Sequence, residues 1–281
     1  MPFKQPSTWL NRDKQLSHKH KKRFGQHFLH DQSVLDAMTA AIAPQKTDIM
    51  LEIGPGEGAL TTRLIDHVAQ FTVVEIDNDL IPTLNKRFAD RPHFNIIHQD
   101  ALTVDYGSNL NDGQMLRVVG NLPYNISTPL IFQLLQSRHR IIDMHFMLQK
   151  EVVERLASPP DGEHYGRLSV MAQYYCAIED LFHIGPEAFD PPPKVDSAVV
   201  RLQPYLALPC IAKDEQGFAG MVKQSFSMRR KTLRNNLKGT LTGEDIESCG
   251  INPGVRAEVL GVADFVRLAD CLHDKNEQNP S

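Results

Sequence analysis

The sequence predicts an α/β fold: a mostly parallel sheet with helices on both faces, followed by a small all-helical C-terminal domain. Three observations predict it. Short apolar runs of strand length alternate with stretches of helical period from residue 31 to residue 205. Strands spaced by helices imply right-handed crossovers and therefore parallel pairing. A glycine-rich turn follows the first long strand, and beyond Tyr205–Pro209 only helical periods remain.

The elements follow in order. Asp31 is placed to N-cap a helix whose Val34, Leu35, Met38, Ala41 and Ile42 share one face, and Pro44 stops it. Ile49–Ile53 reads as a buried strand, and Leu60, Leu64 and Val68 mark the helix after it. Phe71–Glu75 is the next strand and Leu80–Phe88 the next helix. Phe94–His98 and Leu116–Gly120 are further strands, Pro129–Leu135 is helical, and Met144–Leu148 is a strand. Val152, Val153 and Leu156 face one way on a helix, and Val195–Leu202 adds a late strand after a proline-rich turn. Phe218, Met221, Val222, Ser225 and Phe226 keep a helical period, as do Val262, Phe265, Val266, Ala269 and Leu272. These readings divide the chain into a basic N-terminal segment 1–22, an α/β domain 23–205 and a helical domain 206–281.

A chain of 281 residues that is 41% hydrophobic and 23% charged is ordinary globular protein, which excludes wholesale disorder, collagen and a coiled coil. No apolar run reaches the roughly 18 residues of a membrane span. No apolar stretch follows the basic N-terminus as in a secretory signal, so a cytoplasmic location is expected. Cys176, Cys210, Cys249 and Cys271 form no C-x-x-C and read as reduced thiols, Cys176 in the core. His18, His20, His27 and His30 lack carboxylate or cysteine companions at ligand spacing, so no metal is expected. The net charge of −4 hides an uneven distribution. Residues 1–23 carry seven basic side chains against Asp13, and residues 221–238 carry six with no acid. Two basic blocks on an acidic body suit a protein that tracks phosphates, although a charge run taken singly is more often a solvated face.

The first chemical signal is Glu52-Ile53-Gly54-Pro55-Gly56-Glu57-Gly58 after a strand. The spacing is G-x-G-x-G, not the G-x-G-x-x-G of a dinucleotide site, and no G-K-[ST] follows. Glu52 and Glu57 flank the turn, where carboxylates repel a pyrophosphate and suit a cationic ligand. Glu75 ends the next strand and can accept both hydroxyls of a ribose, while Asp100 follows the strand after that. A ribose, a base with a donor amine and a positively charged tail together describe S-adenosylmethionine.

The second signal is Asn121-Leu122-Pro123-Tyr124 after the fourth strand. An adenine N6 amine is a poor nucleophile because its lone pair is delocalised into the ring. The Asn121 side-chain oxygen and a backbone carbonyl, that of Leu122, can accept its two hydrogens and favour the pyramidal transition state. Pro123 stiffens the turn, and Tyr124 offers a face for a flipped base. No general base is required before attack. A plain turn with a packed tyrosine is the alternative reading.

With these motifs, the chain resembles the ribosomal small-subunit RNA adenine N6,N6-dimethyltransferases, the KsgA family. The resemblance runs from Arg23 to Leu202. It rests on Arg23-Phe24-Gly25-Gln26-His27-Phe28-Leu29, the 52–61 run, Glu75, Asp100, N-L-P-Y, Tyr165-Gly166-Arg167-Leu168-Ser169 and Phe189-Asp190-Pro191-Pro192-Pro193-Lys194-Val195-Asp196-Ser197. It continues more weakly through Ser225-Phe226 and Arg229-Arg230-Lys231. It implies a Rossmann-like class I methyltransferase sheet that binds S-adenosyl-L-methionine through His27, Leu29, Gly54, Glu75, Asp100 and Asn121. Gln26, Gly56, Ile76 and Ala101 complete the candidate cofactor set. Many members carry asparagine where this chain has His27. The resemblance further implies that Phe189 is a second stacking ring opposite Tyr124. The implied substrate is two adjacent adenosines in the 3′-terminal stem-loop of 16S rRNA within the immature 30S subunit, each dimethylated late in assembly. Lys22, Arg23, Arg229, Arg230, Lys231 and Arg234 are the candidate RNA-binding residues.

A DNA adenine methyltransferase would carry [DNS]-P-P-[YFW], whereas Leu122 stands in the first proline's place, and few residues remain for a target-reading domain. No DNA partner is therefore expected. Methyltransferases of large-subunit RNA share the architecture, but the Y-G-R-L-S and F-D-P-P-P-K-V-D-S segments favour the small-subunit branch. A non-catalytic assembly checkpoint is compatible with either.

Overall fold

The computed structural model describes residues 27–107 and 110–278. The chain enters through a two-residue strand, β1 (Phe28–Leu29), and then α1 (Gln32–Ile42), β2 (Ile49–Ile53), α2 (Ala59–Leu64), β3 (Gln70–Glu75), α3 (Ile81–Arg87) and β4 (Phe94–His98). It continues with β5 (Leu116–Asn121), α4 (Ser127–Gln136), β6 (Ile141–Gln149), α5 (Lys150–Ala157), α6 (Arg167–Tyr175), β7 (Cys176–Ile184), β8 (Phe189–Asp190) and β9 (Ser197–Pro204). Four helices follow: α7 (Glu215–Ser225), α8 (Leu233–Asn236), α9 (Gly243–Ser248) and α10 (Val262–Gln278).

Seven strands form one sheet in the order β4-β3-β2-β5-β6-β9-β7. The first five run parallel, β9 is antiparallel to both β6 and β7, and β7 therefore points the same way as the first five. The expected mostly parallel sheet is therefore present. β2 is buried on both faces, which is why it reads as an apolar run broken only by Glu52 and not as an alternation. Leu51 and Ile53 pack with Val118, Phe146 and the α4 leucines on one face. Met50 packs with Phe71, Val73 and side chains of α1, α2 and α3 on the other. Asp31 caps α1 as expected, accepting from the Ser33 and Val34 N–H groups.

The chain passes from β2 through β3 to β4 on one side, then returns to place β5 on the other side of β2. The connections leaving the carboxyl ends of β2 and β5 thus lead to opposite sides of the sheet, which makes this the topological switch point, where open α/β sheets take ligands in the crevice at their strand ends.

Three details differ from expectation. The helix expected to reach Val68 ends at Leu64 and tightens into a 3₁₀ turn at Ile65–His67. The late strand starts at Ser197, not Val195. α6 and β7 were not anticipated at all; Cys176 at the start of β7 is fully buried, as expected.

Beyond β9 every strand-length or longer element is helical. Its core is shared: Tyr165, Val170, Met171 and Tyr174, at and near α6, pack with Phe218, Leu233, Ile246 and Phe265. Tyr165 also donates its hydroxyl to the Leu260 carbonyl at 2.8 Å. Among the described residues no helix is long and apolar enough to cross a membrane.

Candidate active site

The turn after β2 begins at the crevice. Gly54, Gly56 and Gly58 have φ of 65°, 58° and 80°, the left-handed region that side chains disfavour. A Cβ at Gly56 would lie 2.8 Å from Cδ1 of Phe28, so the turn and β1 pack too closely for any side chain there. Gly120 serves a second approach. A Cβ there would lie 2.5 Å from the Ile53 carbonyl oxygen, and its absence lets β5 bring Asn121 beside Gly54.

Glu52 sits two residues before Gly54, within β2, and is turned toward α2. It is 2% exposed and accepts a hydrogen bond from Thr61 Oγ1 on α2. Burial pushes its carboxyl up to about 7, with the Glu75 charge adding to the rise and Thr61 opposing it. The expectation that Glu52 lends negative charge to a ligand is corrected: on a strand buried on both faces, alternation turned this side chain into the helical layer. Glu57 remains exposed.

Glu75, at the end of β3, is 5% exposed. Its Oε1 accepts from the Ile76 and Asp77 N–H groups, both at 2.8 Å. Burial raises its pKa, while backbone N–H groups of Asp77, Ile76 and Gly56 oppose the rise. The carboxylate is thus fixed in direction beside the glycine turn. Ile76, 44% exposed, presents an apolar side chain next to it. Asp100 is exposed beyond β4, with Oδ1 capping the Leu102 N–H at 3.0 Å, and Ala101 is buried behind it. A fixed carboxylate, an apolar surface and a second carboxylate at successive strand ends suit a ribose, a flat base and its amine.

Asn121 closes the crevice from the β5 side. Its Nδ2 donates to the His27 carbonyl at 2.9 Å. A carbonyl can only accept, so this contact fixes the amide with NH₂ toward β1 and leaves Oδ1 as an acceptor on its other side. The Leu122 N–H is tied to the Met147 carbonyl at 3.1 Å, and its side chain is buried. After Pro123, Tyr124 is half-buried, and its hydroxyl meets Ser197 Oγ at 2.8 Å. Burial raises the Tyr124 pKa, and Ser197 opposes that rise. This is an amide acceptor and an oriented aromatic ring at the mouth of the crevice.

The family model described as ribosomal RNA adenine dimethylase matches residues 17–274. The chain belongs to the ribosomal RNA adenine dimethylase family. A ribosomal RNA small subunit methyltransferase A of Pseudomonas syringae pv. syringae is 56% identical over 261 residues, 93% of this chain and 97% of its own. One from Hydrogenovibrio crunogenus is 55% identical, covering 91% and 97%. Among solved structures, a dimethyladenosine transferase from Plasmodium falciparum matches with a TM-score of 0.75 at 25% identity over 90% of this chain and 98% of its own. The 23S rRNA methyltransferase ErmE matches at 0.71 and 24% identity over 88% and 99%, and shows the same fold. As a member of the dimethylase family, the chain is a methyltransferase acting on adenine in ribosomal RNA.

The remaining candidates of this dimethylase are placed as follows. Leu29 pairs with Phe189 across the β1–β8 ladder, and both side chains enter the core. Phe189 is 2% exposed. The expectation of an open second ring opposite Tyr124 is corrected: the ladder turns Phe189 inward, and the ring beside Tyr124 is His27, with centroids 5.9 Å apart and planes inclined by 26°. Arg229, Arg230 and Lys231 lie exposed between α7 and α8, and Arg234 is exposed on α8. Asn236 holds that loop by donating to the Ser225 and Met228 carbonyls. Gln26, Lys22 and Arg23 lie outside the described residues, as does the segment 1–22.

Sequence reasoning missed three groups. His27 was assigned to a ligand and not to a ring contact. Ser197 had only its place in F-D-P-P-P-K-V-D-S to signal it. Arg117 on β5 binds Asp48 and Asp143 and donates to the Ile42 carbonyl, neutralising the C-terminus of α1. An arginine inside an apolar run was the available signal.

Proposed function

We propose that the enzyme transfers methyl groups from S-adenosyl-L-methionine to N6 of two adjacent adenosines in the 3′-terminal stem-loop of 16S rRNA, dimethylating each. The substrate is the immature 30S subunit late in its assembly, in the cytoplasm. The reading rests on the orientation of Asn121, whose Nδ2 is turned to the His27 carbonyl so that Oδ1 is left as an acceptor.

The residues at the strand ends fit the cofactor, which supplies a methyl group on a sulfonium. Glu75 takes the ribose hydroxyls, Ile76 lies against the adenine, and Asp100 with Ala101 takes the adenine amine. Gly54 and Gly56 keep the floor open, with Gln26, His27 and Leu29 on the β1 side. Asn121 Oδ1 and the Leu122 carbonyl hold the substrate N6 hydrogens, which directs the nitrogen lone pair outward and favours its pyramidal form. Pro123 holds the turn, Tyr124 supports the flipped base, and alignment provides much of the acceleration. Phe189 stands behind the crevice as packing for β1. Residues 206–281 form the RNA- and ribosome-binding domain, with Arg229, Arg230, Lys231 and Arg234 on phosphates and Lys22 and Arg23 assisting.

The test uses small subunits lacking these methyl groups, labelled S-adenosylmethionine and digestion to nucleosides. N6,N6-dimethyladenosine from the 3′-terminal fragment is expected. Its absence, or label in large-subunit RNA instead, refutes the assignment.

A further inference from the structure

We propose that Cys249 and Cys271 form a disulfide when the chain meets hydrogen peroxide, stapling α9 to α10. The step lies outside methyl transfer and does not depend on it. In this structure all four cysteines are free thiols. Two of them share one acceptor. Cys249 Sγ donates to the Asp245 carbonyl oxygen at 3.2 Å, and Cys271 Sγ reaches the same oxygen at 3.8 Å.

The local sequence brings them together. Thr242 and Asp245 start α9 with a capping box, and Cys249 closes the helix, its N–H bonded to the Ile246 carbonyl. On α10, Arg267, Cys271 and Lys275 recur every four residues and therefore lie on one face. All three turn to the end of α9. Arg267 Nε donates to the Cys249 carbonyl at 3.1 Å, and Lys275 Nζ to Asp245 Oδ2 at 2.6 Å, with Cys271 between them. Ile246 and Phe265 anchor the two helices in a common core, and both cysteines pack against it. The helices are thus held together on either side of the thiol pair. Bond formation asks for side-chain rotation and not for the docking of separate elements.

Both thiols are half-buried, whereas Cys176 is fully buried, so the pair is the more open to a small oxidant. Burial pushes the Cys249 thiol up to about 12, and the Cys271 thiol beside it adds to the rise. Cys249 rests as a neutral thiol, which reacts slowly. The pair therefore answers sustained oxidant and not a passing pulse.

The redox balance closes with peroxide alone. One sulfur, as its thiolate, attacks a peroxide oxygen. The O–O bond breaks, a sulfenic acid forms, and the departing hydroxide takes up the thiol's proton as water. The other sulfur then attacks the sulfenic sulfur. The S–S bond forms, the S–O bond breaks, and a second water leaves with the second thiol's proton. The two sulfurs lose two electrons, and the peroxide gains them. The staple steadies more than two helices. Arg234 rests on the start of α9, where a Cβ at Gly243 would lie 3.0 Å from its Nη2, so a fixed α9 also fixes the seat of a candidate RNA-binding side chain.

The test treats the folded full chain with hydrogen peroxide, blocks the remaining thiols by alkylation and digests with trypsin without reduction. The peptides 239–256 and 268–275 should appear linked, with Cys176 and Cys210 alkylated. The oxidised chain should melt about 5 °C higher than the reduced one, and dithiothreitol should return it to the starting midpoint, a comparison that needs no variant. Cys271→Ser should show neither the link nor the rise. Separate alkylation or sulfinic acids at Cys249 and Cys271 overturn the proposal. So do a Cys176–Cys210 link in their place, a link between two chains on a non-reducing gel, or an unchanged midpoint in the linked protein.

Discussion

Glu52→Gln tests whether a buried carboxyl beside the cofactor turn destabilises the fold at neutral pH. The side chain is 2% exposed, and its pKa is pushed from 4.5 up to about 7, chiefly by burial. The folded-state value lies above the unfolded one, so the folded protein holds this proton more tightly. Stability from this group is complete below the unfolded pKa and is lost as pH rises through the folded value. A shift of this size corresponds to about 3 kcal/mol at about 1.4 kcal/mol per unit. Glutamine keeps an oxygen for Thr61 Oγ1 and cannot ionise. Its new NH₂ group costs about 1–3 kcal/mol if no acceptor is found, but that cost does not vary with pH. The sharp quantity is therefore the pH dependence of the difference between the two proteins. Urea unfolding should show the variant gaining about 2–3 kcal/mol relative to wild type between about pH 5 and about pH 8. A difference that stays constant across that range would refute the buried-carboxyl reasoning, whatever its absolute value.

Three further outcomes follow from the site. Glu75→Ala should weaken S-adenosylmethionine binding by about 1.5–3 kcal/mol, the range for hydrogen bonds to a charged group, and calorimetry showing equal affinity removes Glu75 from the site. Ser197→Ala takes away the partner of the Tyr124 hydroxyl and should cost about 0.5–1.5 kcal/mol of transition-state stabilisation with cofactor affinity unchanged; unaltered kcat/KM would show that the ring needs no such tether. If about six phosphates are neutralised, affinity for the RNA should fall with salt at a log–log slope of about −4 to −5, and a slope near zero means the basic residues around Arg229 are idle.

What the sequence made legible were the strands of the parallel half and the residues at their ends. β2 and β4 were expected with the bounds they have, because each is a short, mainly apolar run cut short by glycine or polar residues. Glu75 and Asn121 followed from them, since strand ends in such a sheet share one edge. β7 was invisible for a local reason: its register shifts between Asp180 and Phe182, which breaks the two-residue period that would reveal it. The direction of Glu52 was also hidden, because a strand covered on both faces gives no polar side to compare against. The β1–β8 ladder joins two residues to two others across more than half the chain, and no periodicity can report so short and distant a pairing. Phe189 was misplaced for that reason: its inward direction is set by Leu29, not by its neighbours in sequence.

That small ladder carries more of the chemistry than its length suggests. The main sheet brings Asn121 to the crevice but does not decide which way its amide faces. The decision belongs to His27, whose carbonyl takes the Nδ2 hydrogen, and His27 is placed by β1, which pairs with β8, and by the Pro191 carbonyl just beyond β8. The same segment between β8 and β9 leads to Ser197, which orients Tyr124. The proline-rich stretch 189–197 therefore sets both halves of the N-L-P-Y site from outside, one through His27 and one through Ser197. Phe189 packs in the core together with Leu29, its partner across the ladder. Buried where it lies, Phe189 touches the site through β1, the strand that follows the carbonyl holding Asn121.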